Sequence, residues 1–182
     1  DSIYILAYQN SYAQIYNDLV LKWGISPIVI GDLGDLVRKT QEFYRSDSGR
    51  QSRPAMVYDC FTFFNEFEIL KMRLEMLDPL VDKFVLVEMD RDHHGNEKPC
   101  YFKENQGEFE KYIDKIIYVK PDKIPKWEEK ETWNWTLEHF QRSCISMGLS
   151  EAQPEDVIMI SDCDEFPNPH IVEELKTTVD KY

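Results

Sequence analysis

Asp162, Asp164 and Glu165 follow directly on the apolar run Val157–Ile160. Four apolar residues in succession read as a strand covered on both faces, because a strand with one wet face alternates with period two. Side chains two apart on an extended backbone point the same way, so Asp162 and Asp164 are expected to present carboxylates roughly 6 to 7 Å apart on one side. Pro167 and Pro169 lack the N–H that a sheet ladder needs and stop the strand. The acids are then left at its carboxyl end, where open α/β sheets bind ligands. Crowded carboxylates repel one another unless a cation or backbone donors compensate them. A hard divalent ion, with phosphate oxygens completing its shell, is the usual partner of such oxygen ligands.

Other stretches offer rival chemistry. Asp90, Asp92, His93 and His94 supply oxygen and nitrogen ligands for a second metal site, although a polar surface loop accounts for them as well. The Asp162-x-Asp164 pair also fits a phosphatase in which the first Asp attacks phosphorus and the second is acid and base. That chemistry normally follows the first strand and has Thr or Val four positions beyond the first Asp, whereas here the motif comes last and Phe166 stands at that position. The Gly31-x-x-Gly34 turn could hold a phosphate at a helix N-terminus but lacks the rest of a dinucleotide fingerprint. Trp127, Trp133 and Trp135 read as core rather than as sugar platforms, and the Asn134-Trp135-Thr136 sequon is set aside as a chance triplet.

The elements that must position the acids are legible from apolar spacing. Ile3–Ala7 reads as a strand followed by a helix over Tyr12–Trp23. Ile25–Ile30 reads as a second strand, leading to a polar helix that ends near Tyr44. Residues 45–54 are polar and aperiodic, which marks a boundary between an N-terminal βαβα segment, residues 1–50, that belongs to an upstream domain or extends the sheet, and a second unit over residues 55–182. In that unit Met56–Phe64 is a strand, Asn65-x-x-Glu68 a helix cap, and Leu70, Leu74 and Leu77 a helical stripe stopped by Asp78-Pro79. Phe84–Val87 is a strand ending in Glu88. Phe109, Tyr112, Ile113 and Ile116 form a stripe, and Ile116–Val119 a strand. A helix over about Glu129–Met147 buries Trp133, Leu137, Phe140, Cys144 and Met147, with Gly148 as its C-cap and Glu138, Gln141 and Arg142 on its other face. The order β-α-β-α-β-α-β predicts an α/β fold, Rossmann-like, with a mostly parallel sheet and flanking helices.

Composition narrows the classes. The 182 residues carry 34 acidic and 21 basic side chains, a net charge of −13, which repels nucleic acid. No run of eighteen apolar residues occurs, the start lacks the order of a signal peptide, and mean hydropathy is −0.51. A soluble chain with no membrane segment, cytoplasmic rather than secreted, is therefore expected. Cys60, Cys100, Cys144 and Cys163 show no CxxC pairing and read as free, mostly buried thiols.

Five stretches recur in this order and spacing in glycosyltransferase family 17. They are Met56-Val-Tyr-Asp59-Cys-Phe61-Thr-Phe-Phe-Asn65-Glu66, the strand from Asp82 to Glu88, Tyr101-Phe102-Lys103, Gln141-Arg142, and Ile160-Ser-Asp162-Cys-Asp164-Glu165-Phe-Pro167. Residues of about 55 to 169 thus resemble that family. The resemblance implies an A-type nucleotide-sugar transferase fold, UDP-N-acetylglucosamine as donor, a mannose-type glycan as acceptor, Mn²⁺ or Mg²⁺ as cofactor, and inversion at the anomeric carbon. It implies Asp164 as the main metal ligand, with Asp162 on the metal, on a metal-bound water or on a ribose hydroxyl, and Glu165 reaching the sugar or orienting the loop. Asp59, Phe61 and Asn65 are then expected near the uridine and Glu88 on the same rim. Arg142 is expected against the diphosphate or an acidic neighbour.

Two features depart from the family pattern. His93-His94 stands where small hydroxyl residues are expected, and only seventeen residues follow Glu165. An inverting transfer needs a carboxylate to deprotonate the acceptor hydroxyl. That base is expected outside this chain, together with the acceptor-binding half. A non-catalytic nucleotide- or glycan-binding module of the same fold is the alternative.

Overall fold

The computed structural model describes residues 4–7, 28–30, 54–124, 135–153 and 156–179, the first two stretches as backbone only. The helices expected over Tyr12–Trp23 and up to Tyr44, the Gly31 turn, Asn134, Trp127, Trp133 and the beginning of the long third helix lie outside the described residues, as does most of the 45–54 stretch.

Six strands, β1 (Tyr4–Ala7), β2 (Ile28–Ile30), β3 (Val57–Phe63), β4 (Lys83–Glu88), β5 (Ile116–Val119) and β6 (Val157–Asp162), form one sheet in the order β2-β1-β6-β3-β4-β5. Every pairing is parallel. The chain steps outward from β3 to β4 to β5, then places β6 on the opposite side of β3. Strand order therefore reverses between β6 and β3, which opens a crevice at their carboxyl ends. Register brings the strand ends level there, with Thr62 opposite Asp162 and Phe63 opposite Glu88.

Alternation along the strands feeds two cores, as period two requires. Val57, Phe61, Phe63, Phe84, Leu86, Val157 and Met159 face one side. They pack against Leu70, Leu74 and Leu77 of α1 (Phe67–Leu77), Phe102 of α2 (Tyr101–Glu104), Phe109 of a 3-10 stretch (Gln106–Tyr112) and Val172 and Leu175 of α5 (Pro169–Val179). Tyr58, Cys60, Val85, Val87, Ile158 and Ile160 face the other side and meet Cys144, Ile145 and Leu149 around α3 (Trp135–Ser143) and α4 (Ile145–Gly148). Burying each of the leucines of α1 contributes roughly 1.5–3 kcal/mol. The amino edge is stitched by carboxylates. Asp82 accepts from the Val57 N–H at 2.8 Å and from Lys176 at 2.7 and 2.8 Å, and Asp156 accepts from the Met56 N–H at 2.8 Å.

Local structure departs from the sequence reading at four places. At the start of α1 the N-cap is Glu66, whose carboxylate accepts from the Phe64 and Asn65 N–H groups at 3.0 Å each, so Asn65 does not cap with its side chain. The stripe that begins at Phe109 lies on a 3-10 stretch after the short helix α2 rather than on one α-helix. The long helix breaks at Cys144, whose N–H is shared between the Phe140 and Gln141 carbonyls, and the change of phase turns Met147 outward and Ile145 inward. Gly148 is not a left-handed cap. Gly95, at φ 85°, has the one positive φ among the described residues, and a Cβ on Gly148 would lie 2.4 Å from Val85 Cγ1. Its missing side chain lets α4 lie directly on the sheet. Among the described residues no helix is long and apolar enough to cross a membrane.

Candidate active site

β6 does not continue extended through its acids. The Glu165 N–H donates to the Asp162 carbonyl at 3.0 Å, closing a turn over Asp162–Glu165, and a Glu165 carboxylate oxygen accepts from the Asp162 N–H at 3.3 Å. Cys163 is buried beneath this turn and Asp164 is exposed above it. The expected common face of Asp162 and Asp164 thus gives way to a turn that separates the two residues by burial. Asp164 makes no hydrogen bond or ion pair among the described residues.

Strand alternation sorts the next contacts. Ser161 and Asp162 point to opposite sides of the sheet. On the α3 side, Arg142 donates to Asp162 Oδ1 at 2.5 Å and also pairs with Glu138, one helical turn back. Of the two partners expected for Arg142, this is the acidic neighbour. Gln141 donates to the carbonyls of Val87 at 3.0 Å and Phe63 at 3.4 Å, and its side-chain oxygen lies 3.0 Å from His93 Nε2. Glu138, Gln141 and Arg142, read from the sequence as the face of their helix opposite the apolar stripe, are at most 8% exposed. The carboxyl ends of β3 and β4 need the Gln141 amide, since orphaned carbonyls under a helix are costly.

Glu88 is fully buried and separate from Arg142. Its carboxylate accepts from the Phe102 and Lys103 N–H groups at 3.0 and 3.4 Å, at the start of α2, and from the Tyr118 hydroxyl at 3.0 Å. Burial raises its pKa against the pull of those donors and of Lys98, whose Nζ is 3.8 Å away. Lys98 in turn lies over the rings of Phe64 and Tyr101, at 4.9 and 5.1 Å from their centroids. Asp59 and Phe61 are 0% exposed: both oxygens of Asp59 accept from Arg73, and Phe61 packs in the core with Arg73 above its ring at 4.6 Å. Both side chains are thus enclosed, whereas Phe64 and Asn65 of the same segment are exposed. The 90–97 loop is knit internally, with Asp92 accepting from the His94 and Asn96 N–H groups at 2.9 and 2.8 Å and Lys120 bound to Asp90 at 2.9 Å. Among the described residues no three His, Cys, Asp or Glu groups converge to hold a metal by themselves.

Arg73 and Ser161 escaped the sequence reading, and Glu138 was read only as part of the polar face of its helix. A signal existed for Arg73, which stands three residues after Leu70 and four before Leu77 and so falls on the buried stripe of α1, where a cation must find a partner. Helix α5 was also unforeseen, although Asn168-Pro169 is a start signature: Asn168 Oδ1 accepts from the His170 N–H at 3.0 Å and Pro169 takes the first helical position.

The sequence profile of glycosyltransferase family 17 matches residues 44–182. The chain belongs to glycosyltransferase family 17. It is 29% identical over 120 residues to beta-1,4-mannosyl-glycoprotein 4-beta-N-acetylglucosaminyltransferase of Rattus norvegicus and to that of Homo sapiens, and 28% identical to that of Mus musculus. These alignments cover 63% of this chain and 22% of each relative, so the chain spans about a fifth of the length of the curated proteins it matches. No solved structure gives a significant match. The family 17 match contains β3 to β6, the acid turn and the residues of α3 that face it.

Proposed function

We propose that this chain is the donor-binding part of an inverting glycosyltransferase that passes N-acetylglucosamine from UDP-N-acetylglucosamine to a mannose-bearing glycan. The observation that supports this reading most is the turn Asp162–Glu165 at the reversal of strand order, in a family 17 chain, with Asp164 exposed and unengaged among the described residues. The donor set fits a hard divalent cation. It consists of carboxylate oxygens only, and it is too few to enclose an ion, so phosphate oxygens and water have room to complete the shell. Asp164 would hold the cation, with Asp162 beside it. Once bound there, the cation would offset the charge that develops on the departing diphosphate.

The residues of the chain supply the frame. Arg142 offsets part of the charge of Asp162 and Glu138, which limits the negative charge the rim presents to a substrate that is itself anionic. Glu88 fixes the start of α2, and Gln141 fixes the ends of β3 and β4, so the rim residues hold their places through bonds to backbone.

Calorimetric titration with UDP-N-acetylglucosamine, with and without Mn²⁺, tests the reading when it is repeated on Asp164→Ala. Manganese-dependent binding that the variant loses supports it. Binding that ignores both manganese and the substitution would overturn the metal and the site together. Acceptor-dependent release of UDP then separates transfer from binding alone.

A further inference from the structure

We propose that Arg73 is a positioning residue for the donor site: it holds the acid turn in shape from beneath, through the backbone. Its guanidinium is 0% exposed, and every N–H is directed at an oxygen. Nε and Nη2 donate to the two oxygens of Asp59 at 2.8 and 2.7 Å, and Nη2 also donates to Ser161 Oγ at 2.6 Å. Nη1 points at three carbonyls of the turn, those of Asp162, Cys163 and Glu165, at 2.9, 3.1 and 3.0 Å. Two N–H groups serve three acceptors there, so at least one bond is shared. Ser161 closes the arrangement by donating its hydroxyl to the Glu165 carbonyl at 3.0 Å.

The grip falls on main-chain atoms and leaves the carboxylates of Asp162 and Asp164 unused by Arg73. A turn that presents two acids is self-repelling, and a buried cation under its carbonyls offsets that repulsion before any ligand arrives. Asp59 aims the guanidinium and balances its charge. Only arginine meets the requirement: lysine has one nitrogen, and it could not fork to a carboxylate and reach three carbonyls as well. The reading rests on the donor-binding role proposed above.

The test uses the full 182-residue chain and two variants, Arg73→Lys and the double variant Asp59→Leu/Arg73→Met. The double variant exchanges a buried ion pair for apolar groups of similar size, a replacement that is often neutral for stability. Three quantities are measured: melting temperature, amide hydrogen exchange at Glu165, and the Kd for UDP-N-acetylglucosamine with Mn²⁺. Arg73→Lys is expected to speed exchange at Glu165 with β4 amides unchanged, and to weaken donor binding about 10- to 100-fold, as loss of a partner behind a metal ligand does. The double variant leaves no lone buried charge but strips the turn carbonyls of their donor, so it is expected to fold cooperatively, melt below the parent and keep weak donor binding. Parental affinity in either folded variant, or unaltered exchange at Glu165 in Arg73→Lys, overturns the proposal. If the unaltered chain binds no donor, the donor reading fails, and exchange at Glu165 still decides whether Arg73 holds the turn.

Discussion

Arg142 and Asp162, which belong to α3 and to the last residue of β6, meet at 2.5 Å across the carboxyl edge of the sheet, and the same guanidinium reaches Glu138 one turn back along its helix. One cation thus serves two carboxylates, one buried and one open to the crevice. The chain places Asp162 beside a built-in counter-charge.

Removing that cation should expose the imbalance. Arg142→Ala takes the cation away from the nearly buried Glu138, and is expected to cost about 2–3 kcal/mol, below the range for fully buried pairs because Asp162 is partly solvated. Adding Glu138→Gln in that background should recover part of the loss. Urea unfolding of the two single variants and the double variant gives the coupling directly; strict additivity would show that Arg142 acts by packing alone.

Gln141→Leu should remove the amide that caps two strands. The Val87 carbonyl is buried, and leaving it unpaired is expected to cost about 1–3 kcal/mol. Because the same side chain meets His93, exchange protection of the 90–97 loop should fall in step. Protection that survives in the loop would mean that its internal bonds through Asp92 hold it unaided.

At Gly148 the smallest possible enlargement is informative. Gly148→Ala drives a methyl against Val85 and should destabilise the chain by about 1–3 kcal/mol through overpacking. Val85→Ala in the same chain opens the space, so the double variant should be more stable than the sum of the single effects predicts. Thermal melts of the four chains decide it.

Alkaline pH should weaken the fold. Burial raises the thiol of Cys144 to about 11 and that of Cys163 to about 12, and pushes Cys60 up as well. Unfolded thiols ionise near 8.5, so between about pH 8.5 and 11 the unfolded chain has released protons that the folded chain still holds. Stability from this source is fully present below the unfolded value and is lost as pH rises. Urea midpoints should fall from pH 8 to pH 10, and Cys144→Ser should flatten the decline. In the folded chain these three thiols should react slowly with disulfide reagents at pH 7.

Strands were the most legible part of the sequence, because Phe84–Val87 and Val157–Ile160 are apolar without interruption and only a sheet covered on both faces asks for that. The stripe Leu70, Leu74, Leu77 gave α1 for a similar reason. The acids were read at the carboxyl end of the last strand, but the turn that carries them was not foreseen, and the arginine that donates to its carbonyls stands 89 residues earlier. Local spacing has no access to such a partner. The face of Glu138, Gln141 and Arg142 was legible as a polar face, and an acidic neighbour of Arg142 was expected, but the capping of β3 and β4 by Gln141 was not, because those strand ends exist only in the assembled sheet. Asp59 shows the same limit, its acidity answered from within the core rather than from the crevice.

The amino edge of the sheet, where Asp82 ties the Val57 N–H to Lys176 and Asp156 ties down the Met56 N–H, lies a full strand length from the acid turn. Its carboxylates serve the chain's own backbone and one helix. The two edges are therefore separable for engineering: affinity handles, fluorescent labels or surface-charge changes placed along the amino edge act on solubility and handling, while the carboxyl edge keeps its chemistry intact.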